Sequence, residues 1–301
     1  MKMNIRAAFH SIAGAVCVGV ASLLAISSQA QNLFEADNGT GNINEFSSDG
    51  TQSTYATGFA TPWALAFDNA GDLFVASMVY GNVTEITPDG TQSTFASGLG
   101  VPDGLAFNSA GDLFVSDHRG GNIYEITPDG TQSIFASGLG SPFGLAFDGA
   151  GNLFVGNYID GSIITEITPG GGQSTFVSGV EVEFPKALAI NSAGDLFVAD
   201  LGEGDIVEIT PGGQQSIFAS GLHQPDALAF DNSGNLFVAN WAGSDITEIT
   251  PNGMESTFSY GLYNPVALAF QPMPEPSALG LFAAATVTLF TFLHRRLSRL
   301  P

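Results

Sequence analysis

The sequence predicts an all-β fold, a six-bladed β-propeller with four-stranded blades, and three observations predict it. A pattern of about 40 residues recurs along most of the chain. Each copy contains four short apolar runs separated by turn-forming residues. The first and last copies are incomplete in complementary ways. Together these features are typical of a closed radial array of antiparallel sheets.

The repeat can be measured on two markers, a Leu-Phe pair and a later glutamate. Successive Leu-Phe pairs lie 40, 40, 40, 43 and 40 residues apart, and successive glutamates lie 40, 40, 41, 42 and 40 apart. A period of this length indicates one supersecondary unit per repeat, and six units are present. The markers are Leu33, Leu73, Leu113, Leu153, Leu196 and Leu236, and Glu45, Glu85, Glu125, Glu166, Glu208 and Glu248.

The second full repeat shows how one blade is built. Its four predicted strands cover residues 104–107, 113–116, 122–127 and 132–136. Turn sequences ending in Gly111 and Gly130 separate them and supply the backbone conformations that close antiparallel hairpins. No helical apolar period of useful length occurs between residues 31 and 271. The unit is therefore predicted to be a four-stranded meander.

The two ends of the repeat region predict how the ring closes. Residues 32–56 contain only the second, third and fourth strands of a blade, whereas residues 265–270 contain only a first strand. Pairing one end with the other would remove the open sheet edge of the array. The propeller domain is therefore predicted to span residues 31–272.

The first 30 residues have the pattern of a secretory signal peptide. Lys2 and Arg6 precede an apolar run over residues 7–26, and small residues around Ala30 offer a cleavage site. The chain's one cysteine, Cys17, falls inside this segment. The mature protein is therefore predicted to be exported and to contain no disulfide.

Residues 273–301 predict a sorting tail with a single hydrophobic helix. Pro274, Glu275 and Pro276 precede an apolar stretch over 278–293, which is followed by Arg295 and Arg296. The stretch is short for a transmembrane helix, but arginines can snorkel, and basic residues after it would lie on the cytoplasmic side. A permanent single-span anchor is the plain alternative.

This tail resembles the PEP-CTERM sorting signal. The resemblance implies recognition by an exosortase at the inner membrane of a Gram-negative bacterium, removal of the tail, and delivery to the cell surface or the extracellular matrix. It covers only the last part of the chain.

The charge of the chain excludes one class of partner. Its net charge is −22, and between residues 31 and 273 there are 28 acidic side chains against Arg119 and Lys186. Such a field repels nucleic-acid phosphates and anionic lipid headgroups. A negative field is compatible with a calcium or magnesium ion or a cationic surface as partner. The acidic charge is also explained by solubility alone.

Most of the acidic residues have a structural interpretation. Asp89, Asp129 and Asp231 lie in predicted hairpin turns, where an aspartate bonds its own backbone. The six repeated glutamates are predicted to be a structural feature of the third strand near its outer edge, because six identical copies do not distinguish one site.

A functional site is expected where the six copies differ. The position after the conserved proline and the position 14 residues later should lie on one rim, because the two strands pair antiparallel. These side chains should surround one mouth of the central channel. They are Trp63, Asp103, Phe143, Lys186, Asp226 and Val266, with Ser77, Asp117, Asn157, Asp200, Asn240 and Asp37.

Two kinds of site are predicted at this mouth. Asp103, Asp117, Asn157, Asp200, Asp226 and Asn240 carry oxygen ligands that calcium or magnesium would accept, although such residues also begin loops. The rim also offers aromatic and polar side chains suited to a glycan, protein or cation ligand. These rim candidates are Trp63, His118, Tyr158, Lys186, His223 and Trp241.

The repeat resembles the NHL-type propellers and the group containing SMP-30/gluconolactonase and virginiamycin B lyase. For lactonases of that group the resemblance implies a metal in the channel, with a Glu among its ligands, and for the lyases a His, a Glu and magnesium. Here Trp63 and its neighbours offer no such Glu, and none is found to partner His118 or His223.

The sequence therefore predicts an exported, non-enzymatic binding or structural propeller at the cell surface or in the extracellular matrix. The alternative is a divalent-metal-dependent lactonase or lyase. That alternative would use Asp103, Asp117, Asn157, Asp200 and Asp226 around the cation.

Overall fold

Strands and tight turns make up the described part of the molecule, a computed structural model covering residues 31–159, 163–178 and 183–273. The 24 strands form six antiparallel four-stranded sheets. The predicted all-β six-bladed propeller is confirmed. The predicted signal peptide and the predicted helix over 278–293 lie outside the described residues.

Each blade is a sheet whose strands follow one another outward from the ring. Blade 1 contains β24 (Pro265–Phe270), β1 (Leu33–Asp37), β2 (Asn42–Phe46) and β3 (Gln52–Ala56). Blade 2 contains β4 (Pro62–Phe67), β5 (Leu73–Ser77), β6 (Asn82–Ile86) and β7 (Gln92–Ser97). Blade 3 contains β8 (Pro102–Phe107), β9 (Leu113–Asp117), β10 (Asn122–Ile126) and β11 (Gln132–Ser137).

The remaining three blades repeat this order. Blade 4 contains β12 (Pro142–Phe147), β13 (Leu153–Asn157), β14 (Ile163–Ile167) and β15 (Gln173–Val177). Blade 5 contains β16 (Pro185–Ile190), β17 (Leu196–Asp200), β18 (Asp205–Ile209) and β19 (Gln215–Ala219). Blade 6 contains β20 (Pro225–Phe230), β21 (Leu236–Asn240), β22 (Asp245–Ile249) and β23 (Glu255–Tyr260).

The ring closes by the pairing predicted from the chain ends. β24 pairs antiparallel with β1, with Ala36 opposite Ala267 and Leu33 opposite Phe270. The innermost strands β4, β8, β12, β16, β20 and β24 each contact the next one around the ring. Each begins at its proline. In blade 3 this proline is Pro102, two residues before the predicted start at residue 104, because it already lies opposite Asp117 at the end of the second strand.

The turn aspartates have the structural role expected of them. The Asp89 carboxylate accepts hydrogen bonds from the Thr87 hydroxyl at 2.6 Å and from the backbone N–H of Thr91 at 3.0 Å. Asp129 and Asp231 likewise accept from backbone N–H groups of their own turns. The six repeated glutamates are half-buried on the third strands, each opposite a serine of the outermost strand where the register is described.

The core lies between neighbouring blades and is built around one aromatic ring per interface. Phe74 packs edge-to-face on Phe95 of its own blade at 4.9 Å and on Phe107 of the next blade at 5.0 Å. Such pairs add to the apolar burial of each interface. Corresponding triads recur at four other interfaces, and Ile190 packs at the sixth, beside Phe154 and Phe176.

The described residues do not test the predicted transmembrane helix over 278–293. Among the described residues, no helix is long and apolar enough to cross a membrane. The predicted sorting residues Pro274, Glu275, Pro276, Arg295 and Arg296 lie outside the described range.

Candidate functional site

The second residue of each innermost strand forms a ring at one end of the channel, here called the mouth. Four of the six innermost strands contribute charged or aromatic side chains that contact one another around a lysine of a fifth strand. We name these residues the axial cluster: Trp63, Asp103, Phe143, Lys186 and Asp226.

Lys186 is the centre of the axial cluster. Its Nζ lies 3.4 Å from Asp226 Oδ1 and 4.0 Å from Asp103 Oδ1. The same atom lies 4.3 Å from the ring centroid of Phe143 and 4.8 Å from that of Trp63. Trp63 belongs to blade 2, directly across the ring from blade 5, so the lysine side chain crosses the channel axis. Its side chain is only 9% exposed.

The carboxyl groups of the axial cluster have raised pKa values. Burial raises the pKa of Asp103 to about 6, although the Lys186 charge partly opposes the rise. Burial also raises the pKa of Asp226, again opposed by Lys186. A buried carboxylate is costly unless a cation or hydrogen bonds compensate it. One lysine cannot fully compensate two such groups, and Asp103 therefore exchanges its proton near pH 6.

A row of rings leads from the axial cluster onto the mouth. We name it the aromatic row: His118, Phe143, Tyr158 and Phe184. The centroid distances are 4.4 Å from His118 to Phe143, 5.5 Å from Phe143 to Tyr158 and 4.9 Å from Tyr158 to Phe184, the last pair being stacked. Tyr158 is 41% exposed. The row thus presents an accessible aromatic face beside buried charge.

Backbone hydrogen bonds fix the loops that carry these rings. The N–H of His118 donates to Val101 O, and the N–H of Tyr158 donates to Ser141 O. The same bond recurs in the other four blades, so the fold holds one side chain per blade at the mouth. The residue type at that position varies among the blades, and it decides which side chain each blade presents at the mouth.

His118 connects the two groups of residues. Its Nδ1 lies 3.7 Å from Asp103 Oδ2, and its side chain is 33% exposed. Burial and the nearby Lys186 charge lower the pKa of the imidazole, which favours the neutral form. A neutral imidazole and a carboxyl group of raised pKa can exchange a proton here through a bridging water, since at 3.7 Å the two atoms are not hydrogen-bonded to each other.

The polar residues that end the second strands serve the fold instead of joining this cluster. The Asp117 carboxylate accepts from the N–H groups of Val101 and Gly120, at 2.9 and 3.0 Å. The Asp200 carboxylate accepts from three backbone N–H groups between 2.8 and 3.1 Å. The expectation that these side chains converge with the inner ring is therefore corrected, because loop amides use their oxygens.

The two asparagines at these positions point outward along their sheets. Asn157 Nδ2 donates to Thr165 Oγ1 at 2.9 Å. Asn240 Nδ2 donates to Asp245 Oδ1 at 2.6 Å and to Thr247 Oγ1 at 2.9 Å. All three bonds lead to the third strand, away from the axis.

The donor set predicted for calcium or magnesium does not fit a divalent cation in this arrangement. Lys186 stands between Asp103 and Asp226, and backbone N–H groups occupy Asp117 and Asp200. Within the described ranges, no three His, Cys, Asp or Glu side chains are grouped so as to hold a metal. The described residues of the mouth therefore offer no ligand set for a metal-dependent step.

The structure brings together four of the six predicted rim candidates. Trp63, Lys186, His118 and Tyr158 are linked by the contacts given above. His223 and Trp241 are exposed on loops of blade 6, where the N–H of Ala242 donates to His223 O. Their described contacts do not connect them to the axial cluster.

Two features of the site region were not anticipated from the sequence. Phe184 extends the aromatic row, and its signal was available, since the residue before the conserved proline differs in every blade. Glu35 is fully buried and accepts a hydrogen bond from Asn44 at 2.8 Å. The corresponding positions of the other five blades hold valine in place of Glu35.

Comparison with known proteins supports the fold. No protein-family model matches the chain, and no curated protein matches it significantly. A chain of a nidogen/laminin complex superposes with a TM-score of 0.74 at 18% identity, covering 81% of this chain and 99% of that one.

Two further solved structures, a lyase and a candidate lactonase, are similar at the level of fold. A selenomethionine-substituted virginiamycin B lyase from Staphylococcus aureus gives a TM-score of 0.57 at 19% identity, covering 68% of this chain and 73% of that one. A candidate gluconolactonase gives 0.59 at 19% identity, covering 69% and 80%. The chain is therefore similar in fold to virginiamycin B lyase-like and SMP-30-like six-bladed propellers, a fold that serves both binding modules and enzymes.

Proposed function

We propose that the protein is an exported six-bladed propeller that binds a small ligand or a glycan at the mouth of its channel. The observation that carries the proposal is the convergence of variable residues. In a chain of near-identical repeats, the positions that differ most in chemistry supply the axial cluster and the aromatic row.

The chemistry of the mouth supports ligand binding. An accessible tyrosine ring, Tyr158, continues a row of packed rings, and polar groups of His118 and Asp103 lie within reach of the same surface. Aromatic faces with a few converging polar groups are usual for small-molecule and sugar sites. Since the ring of blades holds the loops rigidly, the ordering cost of binding would be small.

Binding can be tested on a glycan array with the purified protein and two variants. Tyr158→Ala removes the exposed ring of the mouth, and we expect at least a tenfold loss of affinity for any captured glycan. Tyr260→Ala, which removes an exposed tyrosine from the outermost strand of blade 6, is the matched control. Equal binding by both variants, or no captured glycan on the wild type, would contradict the glycan proposal.

Export and sorting form a separate part of the proposal, supported by the two chain termini. A secretory leader and a tail resembling the PEP-CTERM signal favour delivery through an exosortase to the surface of a Gram-negative cell. Mass spectrometry of the surface-exposed protein should find a chain that begins near residue 31 and ends near residue 273. A full-length chain retained in the inner membrane would instead indicate a permanent anchor.

The proximity of His118 and Asp103 favours a second candidate function, a lactonase or lyase. Their 3.7 Å separation and the raised pKa of Asp103 would allow proton transfer near neutral pH. A panel of lactones assayed in a pH-stat, with and without chelator, tests this function. Turnover lost in Asp103→Asn but kept in Glu255→Gln, an exposed control, would establish it; no turnover by the wild type would remove it.

A further inference from the structure

The axial cluster has the composition of an organic-cation site. Asp103 and Asp226 turn carboxylate oxygens toward one point, and neither Oδ1 makes a well-formed hydrogen bond. Trp63 and Phe143 turn ring faces toward the same point. Buried carboxylate oxygens without hydrogen bonds stay costly unless a cation lies among them. Aromatic faces and carboxylates together favour ammonium groups.

The walls of this site do not come from the strand that carries the lysine. Trp63, Asp103, Phe143 and Asp226 belong to blades 2, 3, 4 and 6, whereas Lys186 belongs to blade 5. Each wall residue is the second residue of its own innermost strand. The walls are therefore set by the ring of blades and should persist when the lysine side chain is shortened.

We propose that the axial cluster is a binding site for a primary alkylammonium group, which Lys186 occupies from within the same chain. The proposal does not depend on which ligand the aromatic row binds. It also explains why one of the two basic residues between positions 31 and 273 lies on the channel axis. Hard divalent cations are excluded from the same walls because aromatic faces do not replace oxygen ligands.

A cavity-rescue experiment tests the site. Lys186→Ala removes the side chain beyond Cβ, which n-propylammonium matches in length and charge. We expect n-propylammonium chloride to raise the melting temperature of Lys186→Ala saturably, by about 3–6 °C at a tenfold excess over its dissociation constant. The rise should shrink at acidic pH, because burial raises the pKa of both carboxyl groups and protonation removes the negative charge that attracts the amine.

Three controls separate the site from general salt or solvent effects. Propan-1-ol, the neutral analogue of similar shape, should not stabilise Lys186→Ala. Wild type and Lys186→Met, whose channel is filled by a side chain, should not respond to n-propylammonium. An equal shift for all three proteins, or a shift with propanol equal to that with the amine, would overturn the proposal.

A measurement on the wild type covers the case in which Lys186→Ala does not fold. Lys2 and Lys186 are the two lysines of the chain, so acetylation of Lys186 can be followed by mass spectrometry. Lys186 is buried between two carboxylates, and these contacts hold its amino group away from an acetylating reagent. Asp103→Asn combined with Asp226→Asn should therefore raise the acetylation rate of Lys186 at least tenfold. An unchanged rate would overturn the proposal.

Discussion

Three glycines near the channel set how closely blades 3, 4 and 5 approach one another. A Cβ on Gly144 would lie 2.8 Å from the backbone nitrogen of Leu188, and a Cβ on Gly156 would lie 2.7 Å from Pro185 O. Gly104 is equally confined, beside Ser116, whose hydroxyl donates to Phe143 O at 2.7 Å. The other blades hold alanine at most of these positions. The close approach of neighbouring strands therefore occurs around blades 4 and 5, which carry Phe143 and Lys186.

Gly144→Ala should destabilise the propeller because the new methyl group meets backbone atoms of β16, which cannot move without shifting the strand. We expect a loss of about 1–3 kcal/mol in the free energy of unfolding, the usual cost of overpacking. Gly149→Ala is the matched control in the same blade, since its Cβ would meet nothing within 4 Å. Urea unfolding of both variants makes the comparison. Equal stability of the two variants would show that blade 4 can shift freely.

At the scale of strands, blade 1 departs from its five copies on β1 and β2. Glu35 and Asn44 stand where blade 2 has Val75 and Thr84. Burial raises the pKa of Glu35 to about 8, while the Asn44 hydrogen bond lowers it and Asp37 raises it slightly. The carboxyl group is therefore protonated in the folded protein at neutral pH. The unfolded chain, with a value near 4.5, is ionised there.

This pair predicts a specific pH dependence of stability. A group whose pKa is higher in the folded state contributes most below the unfolded value, and that contribution is lost as pH rises from about 4.5 to about 8. The double variant Glu35→Val with Asn44→Thr, which introduces the residue pair of blade 2, should remove this loss of stability at high pH. At pH 8 we expect a gain on the order of 3–5 kcal/mol relative to wild type, and little gain at pH 4.

Denaturant unfolding at pH 4, 6 and 8 measures this difference. Glu255→Gln changes an exposed carboxylate and should leave the stability of the protein nearly unchanged at all three values. If the double variant were no more stable than wild type at pH 8, Glu35 would be ionised and stabilised by partners other than Asn44.

The strands were predictable from the sequence because turn chemistry and a constant period act locally. The site was predictable only in part. Spacing placed Asp103 and Asp117 on one rim, but it could not show that loop N–H groups would use the Asp117 carboxylate. Nor could it show that Lys186 reaches across to Trp63, because that contact depends on rotamers and on the ring diameter. Glu35 lies in an apolar run whose pattern is broken by one residue.

At the scale of the whole molecule, one strand closes the ring. β24 supplies the innermost strand of blade 1 and contacts β4 and β20 of the neighbouring blades. Without it, β1 would become an unpaired edge and two interfaces would lose their inner layer. The closure therefore joins residues far apart in sequence into one cooperative unit.

Deleting residues 265–273 should abolish the single cooperative melt. We expect an early, broad transition and association of the exposed β1 edge, measured by calorimetry and size-exclusion chromatography. Deleting residues 274–301 is the control and should leave the melting temperature unchanged, since β24 is retained. A sharp transition near the wild-type temperature after the first deletion would show that five complete blades suffice.

The scarcity of basic residues also decides how the folded protein meets proteases that cut after lysine or arginine. Residues 31–273 offer such enzymes two bonds, after Arg119 and after Lys186. Lys186 lies in a strand paired within its sheet and its side chain is 9% exposed, so cleavage there requires unfolding. Arg119 is exposed in the loop that follows His118. A trypsin-like enzyme would therefore nick the native ring at the mouth and nowhere else in this range, damaging the proposed ligand surface while the blades stay joined.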